Sequence, residues 1–313
     1  MDLITSNLRD ADAAMLNAYN ETAEQSAFEG LVEEITDPQG YYRWTQVTDP
    51  AVFQKLIDEV VPAGLHSVDL TVETEVYLNP VEISRKKFDN ASAIIDNPEW
   101  MRIFTGLGED AAANREVVLT TLLESNPTTI LGSAMFSNSA VIPGTNGERT
   151  IDNLHTGSGV DTESKIEADF RAAELLLHQM RNAKNRKMHR IGPRQKLVAL
   201  IPPDLLEIFQ QTFEKILRDA GEDNAVKNRV EIRLNTYFTS ATDWYLGVTN
   251  SRYRPFGMVQ EKAPELLTDA GATDAQNRVS RDAILRDSYL FGARDVFKHA
   301  PLFSAGLVMI DNS

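Results

Sequence analysis

Alternation is cleanest between residues 66 and 78, where Val68, Leu70, Val72, Thr74, Val76 and Leu78 interleave with Ser67, Asp69, Thr71, Glu73, Glu75 and Tyr77. A period of two puts these sets on opposite faces of a strand, one apolar and one wet. After Asn79-Pro80 a second extended piece, Val81 to Ser84, runs into Arg85-Lys86-Lys87. The pattern predicts a long two-stranded projection turning near Leu78 to Pro80.

The period changes at Glu109 to Asn126. Ala111, Arg115, Val118, Leu119, Leu122 and Leu123 recur at steps of three and four, which predicts a helix buried along one side. Glu109 and Asp110 suit a helix start and Asn126-Pro127 a stop. Gly106-Leu-Gly108-Glu-Asp-Ala111 fits a loose dinucleotide-binding pattern, but acidic groups stand where a pyrophosphate would meet helix amides. The reading favoured here is a turn that starts the helix.

Residues 1–36 predict an extended arm with one short helical stripe, Phe28, Leu31, Val32 and Ile35. Asp37-Pro38-Gln39-Gly40 predicts a turn, and Tyr41, Tyr42 and Trp44 a packed aromatic cluster. Val141 to Thr162, rich in Gly, Asn, Thr, Ser and Asp, reads as a long surface loop. Glu163 to Ala183 predicts an amphipathic helix through Ile166, Phe170, Ala173, Leu177 and Met180. Gln195 to Ile201 predicts a buried strand ended by Pro202-Pro203. A helix then follows, with Asp204 and Glu207 as a reciprocal capping box and Leu205, Ile208, Phe209, Phe213, Ile216 and Leu217 inside. Residues 230–262 and the two runs within Ile284 to Ile310 read as strand-rich. Helix and strand are interleaved without a regular βαβ cadence, so the expected fold class is α+β.

Composition then removes several functions. The 313 residues include no cysteine, which excludes disulfides, thiolate nucleophiles and cysteine-based metal centres. A net charge of -15 argues against wrapping nucleic acid by bulk electrostatics. No run approaches the length of a membrane span and the first 27 residues are unlike a signal peptide, so the expectation is a soluble protein made in the cytoplasm, with no membrane partner. His66, His155, His178, His189 and His299 lack metal-ligand spacing. No nucleophile elbow, Walker loop or EF-hand pattern occurs, so neither catalytic residues, metal nor cofactor is expected.

One segment breaks the acidic background. Arg181, Lys184, Arg186, Lys187, Arg190, Arg194 and Lys196 occur with no acidic residue among them. Such a segment can meet phosphate, rest in solvent, or meet the acidic surface of another copy; complementarity with the acidic whole favours the last over phosphate.

The order of these parts resembles the major capsid proteins of tailed phages, of the Hong Kong 97-type fold, and within them the Mu-like major head subunits. The stretch Asn79-Pro-Val-Glu-Ile-Ser-Arg-Lys-Lys-Phe-Asp89 looks like the strand returning from that family's extended loop, and Glu109 to Asn126 like its spine helix. A polar loop with Asn153-Leu154, the helix from Glu163, and Leu197-Val-Ala-Leu-Ile-Pro-Pro-Asp-Leu-Leu-Glu-Ile-Phe follow in the family's order. Trp244-Tyr-Leu, Arg254-Pro-Phe, Gln260 and Tyr289-Leu-Phe-Gly-Ala-Arg294 are similar to the later Mu-like segments. Met135-Phe136-Ser137 departs from the Mu-like pattern, where an aromatic and histidine-containing segment is usual.

The resemblance implies a virion shell protein, not an enzyme, that self-assembles into pentamers and hexamers of an icosahedral head around DNA bound without sequence specificity. Portal, scaffold and decoration proteins are implied as further partners. It implies an N-terminal arm at 1–40, an extended loop with flanking strands at 41–95, and a peripheral domain with the spine helix at 96–135. An axial domain at 136–262 and a return through the peripheral domain at 263–313 complete it. Candidate contacts between copies are Arg181, Lys184, Arg186, Lys187, Arg190 and Arg194 in the basic segment and Glu73, Glu75 and Tyr77 in the extended loop. The alternatives are a nanocompartment shell of the same fold, or an enzyme using dispersed carboxylates.

Overall fold

Each helix among the described residues lays its apolar side on a sheet or on another helix. The computed structural model describes residues 3–37, 39–47, 67–89, 98–144, 148–192, 195–215, 226–270 and 286–312. The elements are α1 (Leu3–Ala23), β1 (Val32–Thr36), β2 (Tyr41–Val47), β3 (Ser67–Glu73), β4 (Glu75–Ser84), α2 (Arg85–Asp89) and α3 (Pro98–Glu124). Then come β5 (Ala140–Ile142), β6 (Arg149–Ile151), β7 (Leu154–Thr156), α4 (Glu163–Gln179), β8 (Leu197–Ile201) and α5 (Leu206–Phe213). The chain closes with β9 (Val230–Leu234), β10 (Trp244–Val248), β11 (Phe256–Gln260), β12 (Glu265–Thr268), β13 (Ser288–Pro301) and β14 (Leu307–Asp311).

One sheet is built on the 14-residue β13. β11 and β12 pair with it antiparallel, β1 lies parallel to β11, and β4 pairs antiparallel from Ser84 with Ser288 to Glu75 with Phe297. The other sheet has the order β7-β14-β10-β8-β9. α4 and α5 cover one face of it around Phe170, Phe209, Phe213 and Trp244. Its other face meets the C-terminal half of α3 and the 27–31 segment, through Phe28, Leu31, Leu119, Leu123 and Tyr245. A further core, with Met15, Phe88, Phe104, Tyr289 and Phe291, lies between α1, α2, α3 and the first sheet.

The buried stripe on α3 is present, and Asn126 ends the helix at φ 47°, exchanging hydrogen bonds with the backbone of Phe136. The helix starts at Pro98, however, not at Glu109. Gly106 and Gly108 are interior residues, so the expected turn does not exist. Gly108 is required by the crossing with α1, since a Cβ there would stand 2.1 Å from the Met15 carbonyl oxygen.

Residues 3–36 also differ from expectation. α1 is a 21-residue helix whose Ala11, Ala14, Met15, Ala18 and Tyr19 are buried. Small residues make its apolar stripe weak in hydropathy, which hides it from a periodicity search. The expected helical stripe at Phe28 to Ile35 is instead a buried turn followed by β1, because β11 offers it an open edge.

The projection is rearranged. β3 pairs with β2, not with residues 81–84, and Leu78 to Pro80 lie in mid-strand opposite Gly292 to Arg294. Thr74 separates β3 from β4, its N–H donating to the Gly40 carbonyl. Before this break Val72 faces the body; after it Val76 is 63% and Leu78 51% exposed, so a single apolar face across 67–78 does not exist. Among the described strands β4 has one partner, and at such an edge Pro80 can face its missing N–H outward.

Val141 to Thr162 contains most of β5, all of β6 and β7, and the fully buried Asn153, whose amide donates to the Met135 and Ser304 carbonyls. The chain from β8 through α5 to β9 is a parallel β-α-β unit within the mixed sheet. Asp204 and Glu207 form no capping box: a 3₁₀ turn, Pro203–Leu205, precedes α5, and neither N-cap position has a side-chain cap bond. Ile216, Leu217 and His66 fall outside the described residues.

Candidate assembly surfaces

Five of the six candidate basic residues are brought together on one tight loop. α4 ends at Gln179, and the chain folds back so that Arg181 bridges Lys187 antiparallel. The Asn182 side chain accepts the Arg186 N–H at 2.9 Å, Asn185 takes the left-handed turn at φ 59°, and the Met188 N–H donates to the Met180 carbonyl. Met180 and Met188 are buried at the base. His189 anchors the far side: its Nε2 lies 2.6 Å from the Ala305 carbonyl, an obligate acceptor, so Nε2 carries the proton and Nδ1 accepts from the Ser251 hydroxyl. Arg186, Lys187 and Arg190 are exposed, Arg181 and Lys184 half-buried, and Arg194 lies outside the described residues. The loop presents its cations on a rigid base.

The ribbon of β2 and β3 lays Tyr42, Trp44, Leu70 and Val72 against the body and turns Arg43, Thr45, Asp69, Thr71 and Glu73 to solvent. Of the expected aromatic cluster, Tyr42 and Trp44 pack edge to face at 5.1 Å with Trp44 against Gly257, whereas Tyr41 falls on the solvent side of the ribbon and is exposed. Glu73 is exposed at the ribbon's base. Glu75 and Tyr77 are occupied within the chain. Lys298 holds the Glu75 carboxylate below its usual range by a direct hydrogen bond. The Tyr77 hydroxyl donates to Glu75 while its ring stacks on Phe297 at 4.6 Å, and burial pushes its pKa up to about 12.

Periodicity missed two surfaces. Val76 and Leu78 on β4 and Leu267 on β12 are exposed on the first sheet, with Gly292 between Pro80 and Leu267 in register. The signal was present as Thr74, a polar residue of strand parity at which the chain changes sheet. The second surface is a cleft of about 820 Å³ between α1, α3, β1 and β11, with Glu24, Glu29, Glu34 and Glu116 in its lining. On its wall the Arg115 guanidinium makes a bidentate pair with Asp295 at 2.6 and 2.7 Å and donates to Gln260, with the Tyr19 and Phe297 rings about it at 5.1 and 5.0 Å. That node ties α3 to β13, β11 and α1.

Among the described residues no His, Asp and Glu group could hold a metal ion, and no helix is long and apolar enough to cross a membrane. The sequence pattern of the family described as "Phage capsid protein" matches residues 69–308. No curated protein sequence matches the chain. Among solved structures, the virus-like particle from Pyrococcus furiosus is 10% identical, with 97% of this chain and 99% of that chain covered and a TM-score of 0.57. The structure of Mycobacterium phage Che8 is 12% identical over 92% and 93%, TM-score 0.54. The capsid of Cyanophage P-SCSP1u is 11% identical over 91% and 88%, TM-score 0.56. At such identities the likeness to each is one of fold.

Proposed function

Because the chain belongs to the phage capsid protein family and has the Hong Kong 97-type fold, we propose a specific way in which its surfaces build the shell. The protein is a major capsid protein of the phage head, structural and not catalytic, and it assembles with copies of itself in the virion. The family match over residues 69–308 carries that reading.

In the proposed layout the arm, 1–40, docks through α1 on the spine helix α3. The extended loop and its flanking strands, 41–95, include the ribbon of β2 and β3 together with β4. Residues 96–135 and 263–313 form the peripheral domain, and 136–262 the axial domain gathered at five- and six-fold centres. We place the chain nearest the Mu-like head subunits, on the order of segments from Asn79 to Arg294. Portal, scaffold and decoration proteins remain proposed partners, and packaged DNA is proposed to be held without sequence specificity.

The basic loop is proposed as a contact between copies, since Arg186, Lys187 and Arg190 are displayed on a fixed hairpin of a chain whose net charge is -15. Of the extended-loop candidates, Glu73 is proposed to face a neighbour, with Glu75 and Tyr77 setting the edge that carries Val76 and Leu78. The test is electron microscopy with size-exclusion chromatography of the purified protein and of an Arg186→Glu, Lys187→Glu, Arg190→Glu variant. Closed shells, tubes or rings are expected from the parent and a marked loss from the variant, larger than for glutamine at the same positions. Unchanged assembly of the variant would sink the contact; a small discrete particle from the parent in every condition would sink the layout.

A further inference from the structure

The cleft between α1, α3, β1 and β11 is chemically lopsided. Its lining carries four carboxylates and one guanidinium, and that guanidinium, Arg115, is already neutralised by Asp295. Glu24, Glu29 and Glu34 are exposed on the rim, Glu29 lying 4.0 Å from the Arg233 guanidinium. Glu116 lies deeper, where its carboxylate accepts the Ala27 N–H at 3.4 Å and burial raises its pKa. A cation placed beside it would restore the stability of the charged form.

An independent observation points the same way. His299, also in the cleft lining, is 7% exposed; among the described residues neither ring nitrogen makes a hydrogen bond of standard geometry, and the backbone and guanidinium of Arg115 lie beside it. Buried polar groups are normally paired, so this imidazole in the cleft wall offers one donor and one acceptor to an incoming polar group. Burial, and after it the charge of Arg115, hold this ring neutral, so the ring itself does not repel a cation. The volume lies in the range of about 300–1,000 Å³ common to ligand pockets, enough for a few side chains.

The same molecule carries the complementary group. Among the described residues, none of the basic loop lines the cleft of its own chain. We propose that the cleft receives the basic loop of a second copy of this chain, with a lysine or arginine reaching past Glu24 and Glu34 towards Glu116 and His299. The inference rests on the basic loop being a contact between copies, and it names the acceptor. It also gives the arm a role in assembly, since α1 and the 24–34 segment supply most of the rim. Arg233 and Arg254 hold that segment in place, donating to the carbonyls of Ala27 and Glu29 and of Val32 respectively.

Charge exchange tests this in the full chain. A Glu24→Lys, Glu34→Lys variant should raise the concentration needed for shell formation by at least about tenfold, as should Arg186→Glu, Lys187→Glu. Combining all four substitutions should restore assembly to within about twofold of the parent, because opposite charges again face each other. Thermal melts of the unassembled subunits, and the milder Glu24→Gln, Glu34→Gln pair, separate a folding defect from an assembly defect.

Carbodiimide coupling of parent shells supplies a second readout. Lys184 or Lys187 should be found joined to Glu24, Glu29 or Glu34 of another chain by mass spectrometry. Loss of assembly only in the basic-loop variant overturns the cleft as acceptor and leaves the loop as a contact. Normal assembly of both variants overturns both readings. Failure of the combined variant to recover, together with no such coupling in parent shells, also overturns the cleft.

Discussion

Gly106 and Gly108 lie two residues apart inside α3, yet opposite outcomes are expected when each gains a methyl group. A Cβ at Gly106 meets nothing within 4 Å, so Gly106→Ala should stabilise the subunit by about 0.5–1 kcal/mol through helix propensity. A Cβ at Gly108 collides with α1 backbone, so Gly108→Ala should destabilise by roughly 1–3 kcal/mol. Denaturant unfolding of both variants checks the contrast; equal effects would mean α1 does not cross there. His189 supplies a second prediction. Burial lowers its pKa from 6.5 to about 4, against a smaller opposing pull from the Ala305 carbonyl. The unfolded chain therefore binds the proton first. Stability is full above about pH 6.5 and falls as pH drops towards 4, by roughly 1.4 kcal/mol per unit for this histidine. Subunit melts between pH 7 and 4 should show that slope, and His189→Gln, which can still donate to Ala305, should flatten it. His299, lowered by burial to about 3, adds a slope of the same sign that this variant leaves untouched.

Elements differ in how far their sequences reveal them. α4 and β8 were legible because each presents a full apolar face or run of ordinary hydrophobic residues. α1 was not, because its buried face is alanine-rich and is completed by Gly108 on another helix. β4 was legible as a strand but its partner was not, since pairing depends on which edge is open after the chain passes Thr74. One expectation is thereby reversed. Removing Leu78 to Pro80, the tip of a projection on sequence grounds, excises the middle of a ten-residue ladder on β13. That deletion should leave no soluble folded subunit. Circular dichroism and solubility of the deletion decide this; a well-folded protein without Leu78 to Pro80 would refute the β4–β13 register.

For the molecule as a whole the question is how copies that each carry -15 come together. Like charge opposes association at long range, so assembly has to rest on apolar burial and on local pairing of opposite charge. The fold separates such charges, with cations on the loop after α4 and carboxylates at the α1–α3 cleft. Exposed Val76, Leu78 and Leu267 offer apolar area on the first sheet. Screening acts over about 10 Å at 0.1 M salt, so reversing the basic loop should impair assembly most at low salt and progressively less as salt rises. Turbidity or light scattering across a salt series reads this directly. A defect independent of salt would assign the loop a shape role instead of a charge role.

What the sequence alone determined is what depends on residue type and local order: no thiol chemistry, an acidic chain with one basic run, an α+β class, the buried stripe and stop of α3, and the succession of segments that places the chain among phage capsid proteins. Tertiary structure decided everything that depends on which surfaces meet. It made Leu3–Ala23 a helix, moved the start of α3 to Pro98, joined β3 to β2 and β4 to β13, and left Val76 and Leu78 outside. It also assembled the acidic cleft from residues as distant as Glu24, Glu116 and His299. Periodicity reports how one segment divides its own faces; it carries no information about the partner each face will find, because that choice is made by packing between segments far apart in the chain.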